Sequence, residues 1–450
     1  MAFIVLNPIG NRTSIEPPAF VPSGTMEIDS EGTFEVSNYE FVKVLVEFND
    51  YKQLISSNSV TFLLKRDGTY WSCGSAAYGV QGNGETQTNK MVLSFTQRLT
   101  NVKQISGSDF VAFAVKKDGT LWGTGRNNVG QQSTGNTTDV PEFTQRLTNV
   151  AKVAVSSDTT WVIKNDRTLW GCGRNDYGQQ GSGNTTDVLT FTQRLTDVID
   201  VKVTSEVTWV LRSDGTLWGC GRNNHGQQGS GNTTDVLVFT KRMENVKDFD
   251  VSDTSIWVIK NDGTLWGCGL NGGGQQGSGN TTDVLTFIQR LTDVKKVVCS
   301  GSRSLSTGTT WALKNDGTLW GCGSKTNGQQ GDGDYGISGI TKFTQRLTDV
   351  IDVACSMDTT WAIKSNKTLW GCGSISYGQQ GSGKRSESAS LSVKTFTQRL
   401  TNVEAVICNT SRTWAIVGYH DLYSCGSNSS GQQSTGSSTS YISTFGKRTV

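Results

Sequence analysis

Two histidines, His225 and His420, stand in a chain of 450 residues, and they are the first place to look for acid–base or nucleophilic chemistry. A hydrolase sets a Ser or Cys nucleophile within hydrogen-bond reach of such a base and a third group to orient it. Neither histidine is accompanied by a motif that would place one. Asp332 and Asp334 in GDGDYG have the alternating acids of a calcium loop, but the remaining ligands and the closing Glu are missing, so the stretch reads as a polar turn. GSGNTT is Gly-rich, yet lacks the Lys of a phosphate-binding loop and opens no helix. The 10 cysteines form no C-x-x-C pair. Seven of them (Cys73, Cys172, Cys220, Cys268, Cys322, Cys372, Cys425) follow the same Trp-x or Tyr-x step, and Thr124 fills that slot once. Cys299, Cys355 and Cys408 share a second slot at the end of a short apolar run. Slots that accept Thr, Val or Ser in sister segments are packing positions rather than metal or disulfide sites. No catalytic residue, metal ligand or cofactor is expected, and the chain reads as non-enzymatic.

The elements that carry these residues repeat. From residue 169 the chain reads LWGCGRNDYGQQGSGNTTDV, and from residue 217 LWGCGRNNHGQQGSGNTTDV, with two letters changed. The Trp recurs at Trp71, Trp122, Trp170, Trp218, Trp266, Trp320 and Trp370, with Tyr423 last, and an FTQRL-like segment keeps step from Phe95 to Phe445. That makes eight units of about fifty residues, a period that signals an array rather than a chain of ordinary domains. Within residues 198–245, Val198, Val201 and Val203 open a β-rich run and Thr208 to Arg212 alternates. Ser213-Asp214-Gly215 is a hairpin turn, Thr216 to Cys220 returns, and FTKR follows a Gly-rich loop. Four short strands with no helical period make a propeller blade. The expected fold is all-β: a propeller of eight, alternatively seven, four-stranded blades over residues 51–450, with a small β module in residues 1–50. Asp166-Arg167 and Asn366-Lys367 replace Asp-Gly in two hairpins, and since Arg and Lys tolerate positive φ poorly, a different turn is expected there.

The order of a V-x-V run, T-W-[AV]-[IL]-K, D-G, L-W-G-C-G and N-x-x-G-Q-Q-G-x-G resembles the repeat of the regulator of chromosome condensation family. That resemblance implies a β-propeller, usually of seven blades, and in eukaryotes an exchange-factor or protein-interaction role. The chain departs from the family in reading Gly-Gln-Gln-Gly (Gly178 to Gly181) where Gly-Gln-Leu-Gly is usual. Residues 26–48, MEIDSEGTFEVSNYEFVKVLVEF, do not match the repeat and read as two strands joined through Ser37-Asn38. They resemble short β modules of tail and minor structural proteins of phages of Gram-positive bacteria.

Lys plus Arg is 41 against 39 for Asp plus Glu, so no basic excess is available to grip nucleic acid. The start, MAFIVLNPIGNR, has only five apolar residues in its run from Ala2 to Leu6 and no charged leader, so neither a signal peptide nor a membrane span is expected, and synthesis in the cytoplasm is. The letter that varies within the constant loop is Tyr78, Val129, Tyr177, His225, Gly273, Asn327, Tyr377 and Ser430 in successive units. Such a position is either unconstrained or a contact surface. The longest departures from the repeat, GSRSLSTGTT at 301, GDGDYGISGITK at 331 and GSGKRSESASLSVKT at 381, lengthen loops of the sixth and seventh units. Tyr78, Tyr177, His225, Tyr377, Arg303, Tyr335, Lys384 and Arg385 are therefore the candidate partner-binding residues. The expected function is a structural, receptor-binding tail protein of a phage or phage-like particle, located in the virion tail or baseplate. The N-terminal module would join other tail proteins, and the propeller would face host wall glycan or a surface protein. A homo-oligomer is left open, and the alternative is an intracellular interaction or exchange-factor-like propeller.

Overall fold

In a computed structural model of the chain, residues 2–5, 50–301, 308–386 and 391–450 are described. The fourth unit shows how a blade arises. Val198–Val203, Val207–Arg212, Leu217–Gly221 and Val236–Met243 pair antiparallel in sequence order. The second strand, VTWVLR, is buried on both faces because blades cover it on either side. The hairpin that follows is held by Asp214, whose Oδ1 accepts hydrogen bonds from the Thr216 amide at 2.9 Å and hydroxyl at 2.6 Å. Gly215 completes it at φ +77°.

Eight such sheets form, so the eight-unit count gives eight blades. Innermost strands of successive blades are neighbours. The blades adhere through one repeated contact. Trp161 of the third blade meets Phe239 of the fourth edge-on at 5.6 Å, Trp209 meets Phe287 at 6.1 Å, and Trp361 meets Phe445 at 5.7 Å. Each of these indoles is buried, as expected for an inter-blade wedge. Glycine makes the fit possible: a Cβ on Gly181, at φ +60°, would stand 2.5 Å from the Phe239 ring.

The ring closes without exchanging a strand between its ends, since every blade's last four strands are consecutive in the chain. Instead the eighth blade treats the first as any other neighbour. Thr61 Oγ1 donates to Gln432 O at 2.8 Å, as Thr208 Oγ1 donates to Gln179 O at 2.8 Å. Arg412 adds a latch peculiar to this seam. It is fully buried and donates to Ser57 O at 2.8 Å and Asn58 O at 2.7 Å.

The first blade carries a fifth strand, Ala2–Val5, paired antiparallel with the inner edge of Tyr51–Ser56. The N-terminal segment thus begins within the propeller sheet. The strands read at Phe34 to Val46 lie outside the described residues.

Two sequence readings are decided at the turns and thiols. Arg167 and Lys367 stand at φ +65° and +62°, beside +77° for Gly215, and the Arg167 amide donates to Lys164 O at 2.9 Å as Gly215 donates to Arg212 O at 3.0 Å. The turn is therefore the same, and the expectation of a different one is corrected. The blade imposes it: Arg167 O accepts the Val198 amide of the next blade at 2.9 Å, as Gly215 O accepts that of Val246 at 3.0 Å. All 10 cysteines are free. Cys220 Sγ lies 3.4 Å from Gln179 O of the preceding blade, and Thr124 Oγ1 lies 2.8 Å from Gly79 O, so the slot wants a small weak donor.

Candidate functional site: the loop face of blades six to eight

Consecutive antiparallel strands send connections alternately to the two faces of the ring. First-to-second and third-to-fourth connections share one face, and the Asp-Gly hairpins lie on the other. All the lengthened segments of the sixth and seventh units fall on the first face.

The constant loop of that face is a stapled frame. In the third blade, Asn175 Nδ2 donates to Ser182 Oγ, Asn184 O and Thr186 O, each at 2.9 Å, while Asn175 Oδ1 accepts the Gln180 amide at 2.8 Å. Gln179 Oε1 accepts the Tyr177 amide at 2.9 Å, and its Nε2 donates to Ser205 O of the next blade at 3.1 Å. These bonds account for the recurring Asn175, Gln179, Gln180 and Ser182, while residue 177 is held in the frame by its backbone amide alone.

The candidates at this position divide into two groups. Tyr78 is half-buried, edge-on to Phe110 of the second blade at 5.6 Å, with Arg126 over its ring at 5.3 Å. Tyr177 is half-buried against Arg222 of the fourth blade, 4.7 Å from its centroid, with Arg174 at 5.8 Å. His225 Nδ1 lies 2.9 Å from Asp283 Oδ2 of the fifth blade. These three side chains join neighbouring blades.

In the sixth blade Asn327 Nδ2 likewise donates to Asp358 Oδ1 of the seventh at 3.1 Å, whereas the tyrosines of the sixth and seventh blades touch the next blade but keep more of their surface open. Tyr377 and Tyr335 are both 39% exposed. Tyr377 lies 6.0 Å from Tyr441 of the eighth blade, and Arg385 covers the Tyr441 ring at 3.7 Å. Lys394 of the seventh blade covers Tyr335 of the sixth at 4.3 Å. Lys384 is exposed, and Arg303 lies outside the described residues. Ile337, 91% exposed, and Leu391 add apolar surface. The sequence reading missed Tyr441 and Lys394. Tyr441 could have been found, because the last strand of the eighth unit opens YIS where the third and fourth open VL.

Charge separates the two halves of the face. A depression over the second and third blades is lined by Arg126, Asp158, Arg174, Asp176 and Asp187. Arg174 is paired there with Asp176 at 2.5 Å, and burial and then the nearby Asp176 push the Asp187 carboxyl up. Over the last blades Lys384, Arg385 and Lys394 accompany the tyrosines, and residues 427–440 carry no charge. Asp334, one of the GDGDYG acids, is paired with Lys325 at 2.8 Å, and Asp332 lies 3.7 Å from the same ammonium. Among the described residues no group of three or more His, Cys, Asp or Glu is placed to hold a metal ion. Among them, too, no helix is long and apolar enough to cross a membrane. The arrangement offers stacking, cation and hydrogen-bonding surface.

Three stretches, residues 102–131, 150–179 and 198–227, match the regulator of chromosome condensation (RCC1) repeat. They cover the second, third and fourth blades from first strand to Gln-Gln loop. No curated protein matches the chain. Among solved structures, human WBSCR16 is similar at a TM-score of 0.58 with 17% identity, covering 76% of this chain and 97% of that one. Prp20p from Saccharomyces cerevisiae is similar at 0.56 with 15% identity, covering 77% and 90%. At such identities the likeness is one of fold, an RCC1-like propeller.

Proposed function

We propose that this chain is a non-enzymatic recognition propeller of a phage or phage-like tail, binding host wall glycan or a surface protein through the loop face of blades six to eight. The observation that carries this reading is the gathering of Tyr335, Tyr377 and Tyr441 with Lys384, Arg385 and Lys394, on the face where the repeat alone is broken by lengthened loops. Exposed tyrosines present a flat apolar ring with a hydrogen-bonding tip, which suits sugar rings and protein surfaces alike. Shallow contacts of this kind are weak singly and strong when many copies are displayed on one particle. Support for the tail assignment comes from the resemblance of residues 26–48 to phage tail modules.

A second reading, an intracellular interaction propeller, draws on the RCC1-repeat match and on the likeness to Prp20p, whose structure is described together with its binding to Gsp1p and histones. The test is direct. Purified chain is mixed with cell-wall material from Gram-positive bacteria, with and without Tyr377→Ala and Tyr441→Ala. Wall binding that the two substitutions abolish supports the recognition reading. Absence of wall binding by the unsubstituted chain, with retention of a soluble protein partner, supports the second.

A further inference from the structure

Each blade keeps an arginine in its last strand even where the FTQRL segment is altered. In the first and eighth blades it donates to the second glutamine of its own blade's loop, Arg98 Nη2 to Gln81 Oε1 at 3.1 Å and Arg448 Nη2 to Gln433 Oε1 at 3.3 Å, and the third blade repeats the strand register of the first, with Trp170 opposite Gln193 as Trp71 is opposite Gln97. In two blades a serine hydroxyl joins the pair. Ser72 Oγ donates to Gln81 Oε1 at 2.6 Å and accepts from Arg98 Nε at 2.9 Å. Ser424 Oγ donates to Gln433 Oε1 at 2.8 Å and accepts from Arg448 Nε at 2.7 Å.

In the other six blades glycine stands in place of that serine, at Gly123, Gly171, Gly219, Gly267, Gly321 and Gly371. In all six, both ends of the bridge are unpaired among the described residues. The acceptors are Oε1 of Gln132, Gln180, Gln228, Gln276, Gln330 and Gln380, and the donors are Nε of Arg146, Arg194, Arg242, Arg290, Arg346 and Arg399. These glutamines are fully buried. Neither serine blade has an unpaired atom at these positions. Buried polar atoms without partners are uncommon in native proteins, and a pair repeated six times calls for a shared partner.

The serine blades define the chemistry of that partner. It must give one hydrogen to the glutamine oxygen and accept one from the arginine. A halide has no hydrogen to give, and a metal cation cannot accept one. Water does both. We infer that each glycine blade binds one buried water between its Gln Oε1 and Arg Nε, in the place taken by the Ser72 and Ser424 hydroxyls in the first and last blades.

The glycine itself has a steric reason. A Cβ at Gly171 would stand 2.6 Å from the Trp161 ring and 2.5 Å from Gln180 Oε1, and at Gly123 one would stand 2.4 Å from the Phe113 ring. The aromatic wedge takes the room of a side chain, so the hydroxyl must come from solvent. Where Ser424 is present the wedge is turned: Trp414 lies at 51° to Phe95, while Trp161 and Trp209 lie at 73° and 81° to their partners.

A crystal structure of the full chain tests this without any substitution. Expected is an ordered water about 2.7–3.2 Å from both atoms in blades two to seven and none in blades one and eight. Direct Nε to Oε1 hydrogen bonds in the glycine blades, or empty space between the two atoms, would overturn it. In solution, oxygen-17 relaxation dispersion counts long-lived buried waters. Ser424→Gly should raise that count by one and Ser72→Gly with Ser424→Gly by two. An unchanged count in variants that keep the parent's near-ultraviolet circular dichroism would overturn it as well.

Discussion

Trp414 of the last blade packs against Phe95 of the first, ring centroids 6.0 Å apart, so the contact that joins every other pair of blades from the third onward also closes the ring. Among the described residues nothing covalent and no exchanged strand holds the ends of the propeller together. Trp414→Ala should therefore cost as much as Trp209→Ala within the array, about 3–5 kcal/mol each, because both leave a large cavity between blades. Denaturant unfolding of the two variants checks this. A much smaller loss at Trp414 would mean that the seam is held by the Arg412 latch instead.

The hairpins at Arg167 and Lys367 store local strain. A side chain in the left-handed region costs about 1–2 kcal/mol, part of which a glycine returns through its greater freedom in the unfolded chain. Arg167→Gly should stabilise the protein by about 0.5–1 kcal/mol, and Gly215→Ala should destabilise it. Equal midpoints for Arg167→Gly and the parent would show that the Arg167 side chain offsets its own strain.

This turn shows where the sequence was legible. Eight copies of one pattern gave the blades and their strands, because each follows from alternation and from turn chemistry inside one unit. The conformation of Arg167 does not, since the bond from Val198 that fixes it comes from the next unit. The same holds at the site. Tyr177 looked like a free loop residue within its own unit, yet Arg222 of the following blade lies over it. Tyr441 escaped notice because it belongs to the outer strand of a different blade from the loop it faces. Relations within a repeat are visible in its letters. Relations between repeats need the ring.

Acid should loosen the hairpin face in a defined direction. Hydrogen bonds from the Thr216 hydroxyl and amide hold the Asp214 carboxyl below its ordinary range, and those from Thr168, Thr264 and Thr318 do the same for Asp166, Asp262 and Asp316. A group whose folded pKa is depressed contributes stability that is complete above its unfolded value, near 4, and that is lost as pH falls through the folded value. Thermal midpoints should thus fall steadily below about pH 4. The seventh blade supplies the control: Asn366 Oδ1 accepts the same two bonds, at 3.2 and 2.6 Å, without a charge to lose. Asp214→Asn should fold normally and show a shallower acid limb, and an unchanged limb would assign the loss to other carboxylates.

The slot cysteines should be silent until the protein unfolds. Burial pushes the Cys73 thiol up to about 12 and the Cys220 thiol well above its usual range, so neither presents a thiolate at neutral pH. Thiol titration of the native chain should leave the seven slot cysteines unmodified, with all reacting in denaturant. Because Thr124 fills the same slot and bonds the same preceding blade, Cys220→Thr should cost less than about 1.5 kcal/mol. A larger loss would mean that the slot is specific for sulfur.

The proposed recognition surface makes the last prediction. Tyr377 and Tyr441 lie on two blades, and neither is a wedge or part of the stapled frame, so Tyr377→Ala and Tyr441→Ala should leave the thermal midpoint within a few degrees of the parent. Loss of the aromatic and of the cation stacked on it removes about 1–3 kcal/mol from a single contact, which is a drop in affinity of about five- to 150-fold per site. On a multivalent particle the losses compound, so attachment should fail while a single chain still binds weakly. Tyr177→Ala is the contrast. Its ring joins the third and fourth blades through Arg222, so stability should fall and binding by the surviving folded fraction should not. Surface plasmon resonance on immobilised wall polymer, with each variant's melting curve beside it, separates the two. Binding lost with Tyr177→Ala and kept with Tyr377→Ala would move the site to the acidic half of the face.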